Sequence, residues 1–352
     1  MLSRGQVGLR QGCNQVRVRY IVFNAVNEVA CASVDQEMRV TESGALVEMR
    51  YTCISAGTEL AKLSGLQPLP FPVGPLGNRA IGRVLQVGDG RDDLQSGDLV
   101  FCHGHHVSHA VISADRETAG LLVKLPDELD RPEATTIGMA SVALTGLRVA
   151  QPELGDLAVV TGAGLVGQFA AQLLQLSGVE TVLVDPVPGR LEIARQCGVK
   201  HPVGIDEAED RVMELSEGKG AEHVLECTGV PAVLKDSVRF AARAGQVVMV
   251  GSPRGEFHTD LTSFLNAFHL WRPHGDLTLS GAHEWKIPLY PEHSSKHSIA
   301  RNIKILADLV VARQLVLDPL LTAVFQPEDG QRAYAQLREG KDAHLGTVFD
   351  WT

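Results

Sequence analysis

Residues 157–174 read LAVVTGAGLVGQFAAQLL: an apolar run, a glycine-rich turn and a second apolar run. The glycines Gly162, Gly164 and Gly167 follow the pattern Gly-x-Gly-x-x-Gly, which is informative only between a strand and a helix. Here the run before the turn favours a strand, and the run after it favours a helix. Gly162 would permit a tight turn, Gly164 would let a pyrophosphate approach the backbone, and Gly167 would let helix and strand pack closely. The stretch predicts a dinucleotide site with the phosphates at the start of a helix.

An acidic residue stands where such a site needs one. Asp185 ends the next predicted strand, 21 residues after Gly164. A carboxylate at this place accepts a hydrogen bond from the ribose 2′-hydroxyl and repels a 2′-phosphate. Pro186 follows it, and the next basic side chain is Arg190. We therefore expect NAD as the cofactor, with NADP disfavoured. The alternative is a glycine-rich turn with an aspartate that only caps a helix.

Strand-like and helix-like segments alternate through the middle of the chain. Strands are predicted at residues 157–161, 181–184, 223–226, 246–250 and 277–280, and helices at 166–176, 189–197 and about 232–243. Apolar strands separated by amphipathic helices imply a parallel sheet covered on both faces. Residues 17–123 instead contain short strands between glycine-rich turns, and a strand at 324–326 should return to that part. We predict an α/β fold with a doubly wound Rossmann sheet and a separate β-rich domain.

The composition excludes several classes of partner. The 352 residues carry a net charge of −10, which argues against nucleic acid and anionic membranes. No apolar run approaches the roughly 20 residues that span a bilayer, and no signal-like run opens the sequence. The six cysteines show no Cys-x-x-Cys spacing, so the common structural zinc sites are not expected. We expect a cytoplasmic protein with reduced thiols.

Four short segments around this framework resemble the medium-chain (zinc-type) alcohol and polyol dehydrogenase family. Residues 53–59 (CISAGTE) look like its Cys-Gly-Thr-Asp turn, and residues 77–82 (GNRAIG) look like its Gly-His-Glu-x-x-Gly segment. Residues 97–100 (GDLV) match its Gly-Asp-x-Val turn, and residues 225–229 (LECTG) match the strand end beside the nicotinamide. The resemblance runs from about Arg17 to the C-terminus.

The resemblance implies a domain plan and a set of cofactor contacts. It implies a GroES-like catalytic domain over residues 1–145, with 1–16 as an N-terminal extension, and a Rossmann domain over 146–285. Residues 286–352 would form a C-terminal segment that returns to the catalytic domain. It also implies a homodimer or homotetramer, with subunits paired through the strand at 277–280. The expected cofactor-binding residues are Gly162, Gly164, Leu165, Val166, Gly167, Asp185, Arg190, Thr228, Gly251 and Ser252.

The chain departs from the family at the catalytic zinc. The ligand positions of the family hold Ala56, Asn78 with Arg79, and Met139. A methyl group cannot ligate, an amide or thioether suits Zn²⁺ poorly, and a guanidinium repels it. The four-cysteine structural lobe is missing as well, because residues 101–106 run directly into the next strand. No zinc is expected.

Side chains must then assist the reacting oxygen in place of the metal. Arg79 is a candidate to stabilise an oxyanion or to hold a carboxylate or phosphate; the alternative is a structural ion pair with Glu59. Thr58 matches the family residue that passes the substrate proton, or is a turn residue bonded to its own backbone. Asn78 would contact a substrate oxygen or stabilise the turn. Glu59, Asn78 and Met139 are the expected substrate-binding residues.

Further candidate catalytic groups lie in a histidine-rich segment, His103-Gly-His105-His106-x-x-His109. Histidine serves as a general acid or base near neutral pH, and the resemblance puts His105 and His106 beside the cleft. The alternatives are a structural or surface role and a replacement metal site. His283 and Trp285 would reach the substrate or cover a subunit interface.

Together these features predict a zinc-independent, NAD(H)-dependent oxidoreductase that interconverts a hydroxyl and a carbonyl group. Its substrate would be a polar small molecule such as a sugar, a polyol or a hydroxy acid. Three alternatives remain: reduction of activated C=C bonds, an NAD-assisted elimination or epimerisation, and a non-catalytic NAD-binding sensor or partner protein.

Overall fold

A computed structural model describes residues 14–113, 120–340 and 343–352. Most of the expected N-terminal extension, residues 1–13, therefore lies outside the described residues. The strands are β1 (Asn14–Ala25), β2 (Glu28–Met38), β3 (Gly44–Cys53), β4 (Ala80–Val87), β5 (Leu99–Cys102), β6 (His109–Ser113), β7 (Leu122–Lys124), β8 (Leu157–Thr161), β9 (Glu180–Val184), β10 (His201–Val203), β11 (Ala221–Glu226), β12 (Ala241–Met249), β13 (Thr278–Gly281), β14 (Leu321–Phe325) and β15 (Gly346–Asp350). The helices are α1 (Ala56–Leu63), α2 (Ile137–Ala150), α3 (Leu165–Leu176), α4 (Pro188–Gln196), α5 (Ile205–Leu215), α6 (Pro231–Ser237), α7 (Leu261–His269), α8 (Ile299–Val311) and α9 (Gly330–Glu339).

The parallel sheet has the predicted doubly wound form. Its strand order is β10-β9-β8-β11-β12-β13, and every neighbouring pair is parallel. The chain starts at the centre with β8, moves to one edge, and returns to build the other half. This reversal beside β8 creates a crevice at the carboxyl ends of the strands, where ligands bind in such sheets.

Two segments of this sheet differ from the prediction. β10 and α5 were not predicted; α5 buries only Ala208 and Val212, too few apolar positions to stand out in the sequence. The helix predicted to end near residue 243 stops at Ser237, and a short 3₁₀ turn leads into β12 at Ala241. Pairing of β12 with β11 and β13 outweighs the helical tendency of this stretch.

The β-rich part contains a seven-stranded sheet and a hairpin. The order β14-β15-β3-β4-β5-β7, with β6 paired to β3, joins strands from both ends of the chain. The C-terminal strands β14 and β15 therefore return to the sheet that contains β3; the sequence predicted a returning strand at 324–326 but not β15. β1 and β2 form a separate antiparallel hairpin.

Helix α2 packs between the two parts of the fold, beside the crevice. It packs on α3 and α8, and its buried residues join one apolar core that reaches from Phe101 to Phe169. The expected domain boundary at residue 145 falls inside this helix. No helix in the described ranges is long and apolar enough to cross a membrane.

Candidate active site

A cleft of about 930 Å³ opens at the carboxyl ends of the parallel strands. Its size is that of a pocket for a cofactor and a small substrate. Segments from both parts of the fold line it, including α1, the loop before β4 and the turn after β13. The predicted site residues on its surface are Thr58, Asn78, Arg79, Met139, Gly162, Gly164, Leu165, Val166, Asp185, Arg190, Thr228, Gly251 and Ser252.

The glycine-rich turn has the geometry that its sequence predicts. Gly162 has a φ of 94°, in the left-handed region that favours glycine. A Cβ on Gly167 would lie 1.7 Å from the Gly162 carbonyl oxygen, so strand and helix approach as closely as expected. Gly164 caps α3, and a Cβ there would meet no atom within 4 Å. The first turn of α3 thus presents its backbone N–H groups to open space in the cleft.

Asp185 lies at the end of β9 beside this turn and is 2% exposed. One carboxylate oxygen accepts from the Ala163 N–H at 2.7 Å, and the other accepts from the Val187 N–H at 2.9 Å. Arg190 lies 3.7 Å from the first of these oxygens. The backbone bonds fix the carboxylate at the cleft wall, where its remaining lone pairs can accept from a ribose hydroxyl.

A buried carboxylate organises the next strand end. Glu226 accepts hydrogen bonds from the N–H groups of Thr228 and Gly229 and from the Thr228 hydroxyl. A Cβ on Gly251 would lie 2.2 Å from the Gly229 nitrogen, so the two turns touch backbone to backbone. Burial raises the pKa of Glu226, and the three donors counteract that rise. Thr228, Gly251 and Ser252 consequently form one continuous edge of the cleft.

The structure gives Arg79 a partner other than Glu59. Its guanidinium forms an ion pair with Glu284, in the short turn after β13, and donates to the Asn78 carbonyl oxygen at 3.0 Å. Arg79 is 4% exposed and Glu284 is 5% exposed. A Cβ on Gly138 would lie 2.1 Å from the Arg79 Cδ, so this glycine makes room for the side chain. The cation is thus locked at the edge of the cleft.

Glu59 and His106 lie in a buried network behind the cleft and do not line it. Glu59 accepts from the Ser55 N–H at 2.7 Å and from the Tyr334 hydroxyl at 2.5 Å, and it lies 2.9 Å from His106 Nε2. His106 Nδ1 lies 2.7 Å from the Thr52 hydroxyl. These contacts engage the carboxylate and both ring nitrogens. The sequence predicted that Glu59 binds the substrate and that His106 is catalytic; the structure instead gives both residues a structural role.

The remaining candidates of the histidine segment separate in space. His105 is exposed, binds the Gly77 carbonyl oxygen through Nδ1 at 2.6 Å, and lines a different depression between the hairpin and β6. It is therefore not placed at the proposed reaction centre. His103 packs against Trp285, with ring centroids 5.5 Å apart. His283 and Trp285 both line the cleft.

Thr58 faces a residue that the sequence did not single out. Arg254 Nη2 donates to the Thr58 hydroxyl oxygen at 3.0 Å, although the two residues are 196 positions apart. No acceptor for the Thr58 hydroxyl hydrogen lies within hydrogen-bond distance in the part of the chain that the structure describes. That hydrogen is therefore available to a ligand.

The positions that the family resemblance aligns with zinc ligands hold side chains that are poor ligands for zinc. Ala56, Asn78, Arg79 and Met139 all lie on the cleft, and the permanently charged guanidinium is buried among them. Cys53 is the nearest cysteine in sequence, but it is fully buried and does not line the cleft. Within the described residues no group of three His, Cys, Asp or Glu side chains is arranged to hold a metal.

The structure adds Glu284 and Arg254 to the predicted site. Each was hidden because its partner lies about 200 positions away in the chain. Arg254 follows the Gly251–Ser252 pair at the end of β12, and a basic residue just beyond a predicted cofactor contact is the only sequence signal that could have revealed it.

Known proteins share this architecture. The zinc-binding dehydrogenase family model matches residues 166–285. An uncharacterized zinc-type alcohol dehydrogenase-like protein from Haemophilus influenzae is 26% identical over 318 residues, covering 82% of this chain and 92% of that protein. D-guloside 3-dehydrogenase from Escherichia coli strain K12 is 27% identical over 282 residues, covering 78% and 77%. Galactitol-1-phosphate dehydrogenase from Escherichia coli has the same fold, with a TM-score of 0.79, 19% identity and coverage of 94% and 99%.

Proposed function

Because these similarities support a zinc-type alcohol dehydrogenase-like member of the medium-chain dehydrogenase/reductase superfamily, we propose that this chain is an NAD(H)-dependent oxidoreductase. It interconverts a hydroxyl and a carbonyl group on a polar small molecule. The observation that carries the proposal is a single cleft in which the glycine-rich turn and Asp185 meet Thr58, Asn78 and the Arg79–Glu284 pair.

The cofactor would bind along one wall of this cleft. The free N–H groups at the start of α3 suit the pyrophosphate, and Asp185 suits the adenosine ribose. The same carboxylate disfavours a 2′-phosphate, which supports NAD over NADP. Thr228, Gly251 and Ser252 would border the nicotinamide, which supplies a hydride acceptor or donor at this end.

Side chains would handle the substrate oxygen. Because Arg254 donates to the Thr58 oxygen, the Thr58 hydroxyl keeps its own hydrogen to donate to a substrate carbonyl oxygen, and its second lone pair can accept a hydrogen bond from a substrate hydroxyl. Asn78 lies on the cleft wall with an amide that can donate to the same oxygen. The Arg79 cation stands directly behind Asn78 and would stabilise negative charge that develops there.

Zinc independence belongs to this proposal. The chemistry of Ala56, Asn78, Arg79 and Met139 supports it, because none of the four offers an anionic or imidazole ligand. Zinc in related enzymes polarises the reacting oxygen. Here a fixed guanidinium and two neutral donors would take over that task, with Glu284 holding the guanidinium in place.

Support for a polar substrate comes from the cleft and from the relatives. Thr58, Asn78, Arg254 and His283 give the substrate end several hydrogen-bonding groups. The names of the similar proteins refer to a guloside and to a sugar-alcohol phosphate. A hydroxyl-rich compound is therefore the class that we propose for this chain.

A substrate panel followed by nicotinamide absorbance tests the proposal. We expect turnover of at least one polyol, hydroxy acid or keto sugar, and a loss of kcat of about 10²-fold or more in Thr58→Val. Gly167→Ala serves as the negative control, since its Cβ would collide with the Gly162 carbonyl oxygen and distort the glycine-rich turn. Turnover of enones alone, or NADH binding without any turnover, would contradict the proposal.

We also propose that two chains pair through β13. This strand is an edge of the parallel sheet, and its Leu279 is 39% exposed. Leu261, Leu265 and Trp271 nearby in the chain are 53%, 53% and 75% exposed. Continuing the sheet across a two-fold axis would cover such a surface.

A further inference from the structure

Among the described residues, one arginine of the cleft differs from the others in having no carboxylate partner. Five described arginines line the cleft, and four of them have carboxylate partners. These pairs are Arg79–Glu284, Arg190–Asp185, Arg239–Glu209 and Arg338–Glu339. Arg254 has no carboxylate within 4.0 Å among the described residues. An unbalanced cation in a cleft is unexpected for a chain with a net charge of −10.

The surroundings of Arg254 hold its head group inside the cleft. Its backbone N–H donates to the Gly229 carbonyl oxygen at 3.2 Å, which anchors the residue to the strand end beside Thr228. Its guanidinium reaches across the cleft to Thr58. Gly57 leaves room for this contact, since a Cβ there would lie 3.2 Å from Arg254 Nη1. Burial lowers the pKa of Arg254, which reflects a cation that has lost water without gaining an anion.

The position of Arg254 favours the substrate over the cofactor phosphates. The pyrophosphate already has donors at the start of α3, whereas Arg254 contacts the hydroxyl proposed to act on the substrate oxygen. One of its five N–H donors is used by Thr58, and the others remain for a ligand. A guanidinium binds a carboxylate or phosphate through two parallel hydrogen bonds.

We propose that Arg254 binds an anionic group on the substrate, so that the preferred substrates are polyhydroxy or keto compounds with a carboxylate or a phosphate. The inference rests on the proposed function, because it names the substrate class of the same cleft. It makes Arg254 a specificity-determining residue: a neutral polyol leaves the cation unpaired, and an anionic one neutralises it.

Ligands that share one carbon skeleton test this inference. Galactitol, galactonate and galactitol 1-phosphate differ only in carrying a neutral, a carboxylate or a phosphate end. Calorimetry in the presence of NAD⁺ gives their dissociation constants, with inorganic phosphate as a skeleton-free probe, and absorbance gives kcat/KM. We expect the wild-type protein to prefer an anionic ligand over galactitol by about 10- to 100-fold. The ligand with the larger preference identifies the anion.

Three variants separate the charge from its geometry. Arg254→Gln should remove the preference for the anionic ligand. The preference is measured as the ratio of the dissociation constants of galactitol and the anionic ligand, both determined with the same variant. Arg254→Lys should restore part of it, because the charge returns without the planar fork. Arg243→Gln is the matched control, since Arg243 is exposed and stacks on Trp271 outside the cleft, and it should leave the ratio unchanged.

The outcomes distinguish this inference from the proposed function. An anion preference that depends on Arg254 but comes with no turnover would refute the function and support the anion site. Turnover with an unchanged ratio in Arg254→Gln would refute the anion site alone. A rise in the NADH dissociation constant without a change in the ratio would assign Arg254 to the cofactor phosphates. Failure of both anionic ligands and of inorganic phosphate to bind more tightly than galactitol would also overturn the inference.

Discussion

Breaking the buried ion pair between Arg79 and Glu284 should lower the free energy of unfolding substantially. The losses caused by substituting each partner alone should not be additive. Both side chains are at most 6% exposed, so Arg79→Met or Glu284→Met leaves an uncompensated charge in the interior. Removing one partner of such a pair typically costs about 3–5 kcal/mol of unfolding free energy. The double variant removes both charges, and replacing a buried pair by apolar side chains is often close to neutral. Its loss should therefore be smaller than the sum of the two single losses.

Urea unfolding followed by tryptophan fluorescence measures these free energies. Arg195→Met is the matched control, because its pair with Glu192 is more than half exposed and should contribute at most about 1 kcal/mol. Additive losses in the double variant, or single losses as small as that of the control, would refute the buried-pair reasoning. The double variant also isolates catalysis: if the cation assists the substrate oxygen, kcat should fall by about 10²-fold or more with the NADH dissociation constant unchanged.

The other predictions concern the cofactor, the pH dependence and the assembly. Asp185→Ala should raise the dissociation constant of NADH and reduce the preference for NADH over NADPH, as measured by fluorescence titration. An unchanged ratio of the two dissociation constants would show that Asp185 does not select the cofactor. Burial alone would raise the pKa of Glu59, but the neighbouring His106 and the hydrogen bonds to the carboxylate outweigh it and lower that pKa. A lowered folded-state pKa adds stability above the unfolded value of about 4.3 that is lost as the pH falls through the folded value, so Glu59→Gln should be less stable than wild type at pH 7 by a margin that shrinks in acid. A margin independent of pH would show that the charge of Glu59 is not involved. Leu279→Lys should convert a dimer to a monomer in light scattering, and a monomeric wild-type protein would contradict pairing through β13.

The parallel sheet and its glycine-rich turn were predictable because their determinants are local. The φ of Gly162 and the packing of Gly167 against Gly162 follow from residues within one short motif. The strand β8 begins and ends where the sequence predicted it, because its apolar run is bounded by turn residues on both sides. The acidic end of β9 follows from the fixed length of the connection between the two strands.

The substrate end of the cleft was only partly predictable because its pairings are long-range. Thr58, Asn78 and Arg79 could be placed by resemblance, yet Arg79 pairs with Glu284, 205 positions away. The expected partner, Glu59, binds Tyr334 instead, 275 positions away. A single sequence carries no record of such contacts, which depend on how the turn after β13 meets the loop before β4 and on how α9 packs beside α1.

The histidine segment illustrates the same limit on a smaller scale. His105 and His106 are adjacent in sequence and lie in the loop between β5 and β6, where no strand or helix periodicity sets the directions of their side chains. The structure places His106 inside, under Gly77, and His105 at the surface. Neither of the two side chains lines the cleft.

The metal content of catalytically active protein tests the central claim most directly. Elemental analysis of the purified enzyme, together with its turnover before and after dialysis against a chelator, measures whether the substrate oxygen depends on a metal ion. We predict less than about 0.1 equivalent of zinc per chain and unchanged kcat after chelation, because Arg79, Asn78 and Thr58 supply the assistance. One tightly bound zinc per chain, with activity lost on its removal and regained on its return, would contradict the account.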